Sequence, residues 1–208
     1  MDDRQTGSVW THYDGAILQG PLANTGVQLE IVPLVHTTWA EWTALHPQTT
    51  VLDWYEEFAN RYREVDPGRG GLGPGFQNTI LNWDNRLLEN ELVLGANVGA
   101  EFRAYVLADF GNALEVVNDS LSGIPLAVFI YSQSDYALAF QAVLDGQQLE
   151  MVSDGDNIYD LTTGSVWGLD GKAISGPLTG MQLEFVTSFV TEWYGWAAYH
   201  PETSIYGR

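Results

Sequence analysis

The chain has no cysteine. Disulfides, thiolate metal sites and cysteine nucleophiles are therefore excluded, and cysteine usage says nothing of a redox compartment. It also has almost no lysine. Lys172 stands alone beside seven arginines, against 27 Asp and Glu, and the formal charge is −19. Such a surface repels DNA, RNA and anionic lipid, which are bound mainly by Lys and Arg neutralising phosphates. No apolar run is long enough to span a bilayer; the longest is Ile124 to Tyr131,. The start, Met1-Asp2-Asp3-Arg4, is not a secretory signal,. These absences predict a soluble chain with no nucleic-acid partner and no membrane insertion. A chain cut from a longer exported precursor would instead reside outside the cytoplasm. Acid excess with a single lysine also fits a saline habitat or a high-GC genome.

What is present is a series of motifs that occurs twice. Thr6-Gly7-Ser8-Val9-Trp10, Gly20-Pro21-Leu22, Gln28-Leu29-Glu30, Trp39, Trp42 and His46-Pro47-Gln48-Thr49 form the first copy. Thr163-Gly164-Ser165-Val166-Trp167, Gly176-Pro177-Leu178, Gln182-Leu183-Glu184, Trp193, Trp196 and His200-Pro201-Glu202-Thr203 repeat it in order. From Gln28 onward the offset is a constant 154 residues. Self-similarity at this scale governs the architecture. The second copy follows about 80 residues of patterned sequence, whereas almost nothing precedes the first. The expected organisation is the back half of one unit over 1–63, a Gly/Pro-rich linker over 64–80, and a complete second unit over 81–208.

Two-residue alternation and glycine turns dominate. A hairpin is expected around Asp14-Gly15, and a strand from Val27 to Leu34. Thr38 and Glu41 have capping-box spacing for a short helix that Pro47 stops. Asp53 then caps a helix of about ten residues with Trp54, Phe58 and Tyr62 on one face. Pro67 to Gly75 should hold no regular element. Leu92–Leu94 and Phe102–Val106 read as strands around Gly99, and Leu114–Val117 as a strand ended by Asn118-Asp119. Pro125–Tyr131 reads as a strand buried on both faces. Ala137–Val143 and Gln147–Val152 form a hairpin at Asp145-Gly146. The expected fold class is mainly β (β-rich α+β), an internally duplicated unit with short helices and an incomplete first copy.

The chain resembles the prokaryotic domain-of-unknown-function family 3179. The resemblance rests on Thr-Gly-Ser-x-Trp, Gly-Pro-Leu, Thr-x-Trp-x-x-Trp and His-Pro-x-Thr, with Asp84-x-Arg86-Leu87, Val93-Leu94-Gly95, Arg103-Ala104-Tyr105 and Val117-Asn118-Asp119. It implies a C-terminal portion of a longer, internally duplicated protein, many relatives carrying export signals. In that family's first unit a Cys-Pro-Leu-Cys type motif often follows a strand like Pro125–Tyr131. Here the slot is Ser132-Gln133-Ser134-Asp135, so any thiol chemistry the resemblance implies is absent.

Candidate chemistry is sparse. His12, Asp14 and His36 are metal-ligating types, but their spacing follows no known ligand pattern. Asp3 and Asp160 precede the two series, and a pair brought together by pseudo-symmetry could do acid–base work. Asp154-Gly155-Asp156-Asn157 resembles a calcium loop but lacks its length and glutamate, and reads as a turn. Ser8 and Ser165 are not in a nucleophile elbow. Trp10, Trp39, Trp42, Trp167, Trp193 and Trp196 are assigned to core, and His46 and His200 to helix ends. The expectation is no metal, no cofactor and a non-enzymatic structural or binding module. It should form a homo-oligomer through its incomplete first unit. The alternatives are a metal-assisted or acid–base hydrolase and a tryptophan-built carbohydrate surface.

Overall fold

Apolar residues on both parities between Leu92 and Phe140 require strands covered on two faces, and the computed structural model, which describes residues 1–53, 55–62 and 71–208, arranges them so,. The first 80 residues carry a hairpin, β1 (Val9–Trp10) and β2 (Ile17–Gln19), then helices α1 (Trp39–Leu45) and α2 (Pro74–Gln77). β3 (Leu92–Val98), β4 (Glu101–Val106), β5 (Glu115–Leu121), β6 (Ile124–Tyr131) and β7 (Tyr136–Gln141) follow. Next come the small hairpin β8 (Val143–Leu144) and β9 (Gln147–Gln148), then β10 (Met151–Ser153), β11 (Ile158–Asp160), β12 (Val166–Trp167) and β13 (Ala173–Ser175). The chain ends with β14 (Phe185–Val186), β15 (Ser188–Glu192), α3 (Trp193–Tyr199) and β16 (Ser204–Ile205). The fold is mainly β with short helices.

The strands form three four-stranded sheets, ordered β15-β3-β4-β16, β14-β7-β6-β5 and β10-β11-β12-β13. Strand alternation sorts their side chains into three cores. Leu94 and Tyr105 meet Leu126, Val128, Ile130 and Ala139 between the first two sheets. On the far side of β6 and β7, Phe129, Leu138 and Phe140 meet Met151, Ile158 and Trp167 of the third sheet. On the far side of β3 and β4, Val93, Ala104 and Val106 meet Trp193 and Trp196 of α3. Every residue from Leu126 to Ile130 is fully buried, as a strand covered on both faces must be,. At Gly95 helix and sheet meet so closely that a Cβ there would overlap the Trp196 ring,.

β14 and β15 tie the second copy to the strands before it. Val186 pairs with Ala139 of β7, and Ser188 to Glu192 pair antiparallel with Ala96 to Leu92 of β3. β16 pairs in parallel with Arg103 and Ala104 of β4. Asp145-Gly146 turns the β8–β9 hairpin with both residues at positive φ, the pairing a tight hairpin turn favours,.

Several sequence expectations are corrected. Val27–Leu34 is not a strand; among the described residues no strand pairs with it to complete a ladder,. β5 runs through Asn118 and Asp119 to Leu121, and the turn falls at Ser122-Gly123, both at positive φ. Asn118 and Asp119 are strand residues because their side chains have partners: Asn118 exchanges bonds with Met151 N and O (2.9 and 2.7 Å), and Asp119 accepts from Arg103 and Tyr105. Trp54, part of the expected helix after Asp53, lies outside the described residues, and Glu56–Arg61 forms a 3-10 helix instead. Residues 64–70 of the expected linker also lie outside them. Pro74–Gln77 within it makes one α-helical turn, with Pro at the first position where its missing N–H costs nothing,.

Candidate interaction surface

The two copies of the motif series adopt the same local structure. Thr6 and Thr163 each bond the serine two residues on, at 2.8 and 2.7 Å. Ser8 Oγ accepts from Leu22 N, and Ser165 Oγ from Leu178 N. The indole N–H of Trp10 donates to Asp3 and that of Trp167 to Asp160, both at 3.1 Å. Farther on, the Trp42 indole donates to Thr49 and the Trp196 indole to Thr203, both at 2.9 Å. His46 and His200 end the two helices with φ −126° and −127° and ψ 68° in both. Each packs at a tilt against its tryptophan, with ring centroids 4.2 and 4.3 Å apart.

Their surroundings differ. Trp193 is fully buried, while its counterpart Trp39 is 58% exposed. Val186 is 5% exposed and Val32 65%; Ile205 is 8% exposed and Val51 70%. Leu34 is exposed where Ser188 is buried. The expected burial of Trp39 is thus corrected: the second copy is covered by β3, β4 and β7, and among the described residues no such strands lie over the first. Trp42 is half-buried, and His46 is exposed where His200 is buried. A large apolar side chain left in water forfeits about 1.5–3 kcal/mol.

The two helices also differ in how their first turns are capped. α3 has its first N–H groups bound by carbonyls of the segment just before β3, Trp193 N to Glu91 O at 2.8 Å and Tyr194 N to Glu89 O at 3.0 Å. α1 instead carries its own capping box: Glu41 N donates to Thr38 Oγ1, and Thr38 N to the Glu41 carboxylate. Thr37 also donates to Glu41 at 2.7 Å. The Thr37 hydroxyl and the Thr38 N–H lower the Glu41 pKa.

Tyr13 joins the copies. It stacks on Tyr199 with ring centroids 4.2 Å apart, meets Phe189 edge-on, and its hydroxyl lies 3.3 Å from Thr191 Oγ1. Beside it a cleft of about 470 Å³ is lined by His12, Phe76, Asn82, Tyr194 and Tyr199 among others. Sequence reasoning missed this contact. Its one trace is Gly195, which stands in α3 where α1 has Glu41.

The weak catalytic candidates are placed as follows. Asp3 accepts from Gln5 N, Thr6 N, the Thr6 hydroxyl and Trp10, bonds led by Thr6 that lower its pKa. Burial raises the pKa of Asp160, but bonds from Thr163, Trp167 and the Ser165 backbone outweigh it, and the net shift is downward. Both carboxylates thus anchor turns, and with their oxygens engaged and their pKa lowered they are weak general bases,. Asp14 Oδ1 caps its own turn by accepting from Ala16 N at 2.9 Å. His12 packs on Tyr13 and Tyr199. His36 lines a separate hollow with Asp135 and Glu192. Among the described residues, no three His, Asp or Glu come together as a metal would require. Asp154 closes a turn between β10 and β11, accepting from Asp156 N, Asn157 N and the Tyr159 hydroxyl, the last of these the strongest in lowering its pKa to about 2.

One polar network was left unassigned by sequence reasoning. Asp119 accepts from Arg103 at 2.5 Å and Tyr105 at 2.8 Å, and Arg103 also donates to Ser120 O and Ser204 Oγ. This network ties β4, β5 and β16 at one edge of the sandwich. Among the described residues, no helix is long and apolar enough to cross a membrane.

In comparison with known proteins, the model of the family described as protein of unknown function, DUF3179, matches residues 1–203. No curated protein and no solved structure matches the chain.

Proposed function

Since the chain belongs to the DUF3179 family of proteins of unknown function, we propose that it is a non-enzymatic, acidic interaction module that self-associates through the open face of its first motif copy. One observation carries the reading. Positions buried in the second copy are exposed in the first, while both copies hold the same local hydrogen bonds. The face is therefore formed before it is covered, so little ordering entropy opposes binding there. Its exposed apolar members include Val32, Trp39 and Val51, whose counterparts Val186, Trp193 and Ile205 pack into cores in the second copy. Two chains that bring these faces together form a closed, isologous pair. The net charge of −19 opposes the pairing, and salt screens that repulsion,.

Light scattering across concentration at low and high salt tests this. The expected result is a dimer favoured by high salt. Leu34→Lys should weaken the dimer even though it lowers the negative charge, because a cation enters the apolar contact. A wild-type chain that stays monomeric at high concentration throughout the salt series refutes the reading.

A further inference from the structure

The cleft beside Tyr13 is built from three separate parts of the chain. His12 and Tyr13 come from the loop between β1 and β2, Phe76 from α2, and Tyr194 and Tyr199 from α3. Gly195 also lines it. A Cβ there would meet the Tyr13 hydroxyl, so glycine lets the tyrosine and the helix come together,. At about 470 Å³ the cleft has the size of a small-molecule site,. Tyr13 is fixed by its stacking on Tyr199 and by Thr191 Oγ1, 3.3 Å from its hydroxyl, so this wall is set before a ligand arrives,.

The rings stand at several angles. Tyr13 and Tyr199 lie 15° from parallel. His12 is tilted 58° from Tyr13 and 73° from Tyr199. Phe76 stands at 87° to Tyr194, with ring centroids 5.6 Å apart. Such walls differ from the single flat platform on which a sugar or a planar ring stacks. They suit a compact group that presents apolar, positively polarised surface in several directions at once. The charge around them has one sign. Among the described residues that line the cleft there is no lysine or arginine. Burial first, and then the Glu192 carboxylate, raise the pKa of Tyr13 and of Tyr194, which keeps both phenols neutral. The chain's net charge of −19 adds a long-range attraction for cations,.

We infer that this cleft binds a small, free organic cation bearing a methylated ammonium group, held by cation–π contact with its tyrosines and Phe76. The methyl groups pack against rings set at different angles, and the charge they carry is attracted to ring faces without needing a hydrogen-bond acceptor. A primary ammonium fits less well, because its N–H groups lose water that the rings do not replace. An anion is opposed by the surrounding charge. The site goes beyond the self-association reading and shares no residue with the face that holds Val32, Trp39 and Val51.

The probe is choline chloride, titrated into the full chain by isothermal calorimetry with sodium chloride as the ionic-strength control. Saturable binding is expected. The neutral isostere 3,3-dimethylbutan-1-ol has the same shape without the charge and should bind at least about tenfold more weakly, as the loss of a desolvated cation–π contact implies. Phe76→Leu and Tyr194→Leu keep apolar volume and remove a ring, and each should weaken choline binding severalfold. Phe76 is 49% exposed, so its replacement spares the core, and circular dichroism verifies the fold. Equal affinity for the isostere would show a merely apolar slot. Indifference to both substitutions would put the binding elsewhere. Either result, or no saturable binding, overturns the inference. Phosphatidylcholine vesicles should not sediment the chain; sedimentation that free choline competes away would show a lipid headgroup as the occupant and overturn the free cation. Added sodium chloride should weaken choline binding by screening, the reverse of its expected effect on self-association. A monomeric chain that binds choline spares this inference and refutes the other, and a dimer indifferent to choline does the reverse.

Discussion

The hydroxyl of Tyr13 occupies the place where a Cβ on Gly195 would stand. The first motif copy thus reaches the helix of the second at its one side-chain-free position. Tyr13 is held there by Tyr199 and Thr191 as well. Gly195→Ala should therefore loosen the first copy from the second, and Tyr13→Phe, by removing the hydroxyl, should recover part of the loss. Contacting residues of this kind show coupling of about 0.5–3 kcal/mol in a double-mutant cycle. Urea denaturation of the four proteins measures it. Additive effects would mean that the two residues do not share this space.

Trp193 and Trp39 test burial at matched positions. Trp193→Ala should cost about 3–5 kcal/mol, as for other large aromatic truncations in cores. Trp39→Ala should cost less than about 1 kcal/mol when measured on dilute protein at low salt, the range of exposed sites. Equal losses would show that the first copy is covered in solution under those conditions.

Gly95→Ala adds a methyl group under the Trp196 indole, where no room exists. Overpacking of this sort costs about 1–3 kcal/mol. Combined with Trp196→Phe, which withdraws part of the ring system, the loss should shrink. Thermal unfolding followed by tryptophan fluorescence checks the pair.

Stability should fall in acid in two stages. Burial lowers the His200 pKa, against the attraction of Asp14, which raises it. The fold favours neutral His200, so its contribution is full above the unfolded value of about 6.5 and declines as pH falls below it, because the unfolded chain then binds protons first. Burial raises the Asp119 pKa, but bonds from Arg103, the Ser120 N–H and Tyr105 outweigh it and the net shift is downward. That contribution is full above about pH 4 and is lost as pH falls through the folded value. His200→Gln should flatten the first stage and leave the second, whereas Asp119→Asn should leave the first and reduce the second only in part, since Asp3, Asp154 and Asp160 are lowered too. Urea midpoints collected from pH 8 to pH 3 would show both.

The sequence alone determined the local pieces. The Thr38–Glu41 capping box, the Asp145-Gly146 turn, the β3–β4 pair and the doubly buried Ile124–Tyr131 strand all depend on side chains within a few residues, or on one period of alternation,. The family could be recognised from motif order for the same reason. Tertiary structure decided what depends on distant partners. Val27–Leu34 has a strand's pattern, but a ladder needs a neighbour, and among the described residues none pairs with this segment,. Asn118-Asp119 reads as a turn until Met151 and Arg103 bind the side chains and the strand runs on. Trp39 and Trp193 share a motif and differ only in what lies over them, which no local pattern encodes. The Tyr13–Gly195 contact joins residues far apart in the chain, and the sequence marks it only by a missing side chain.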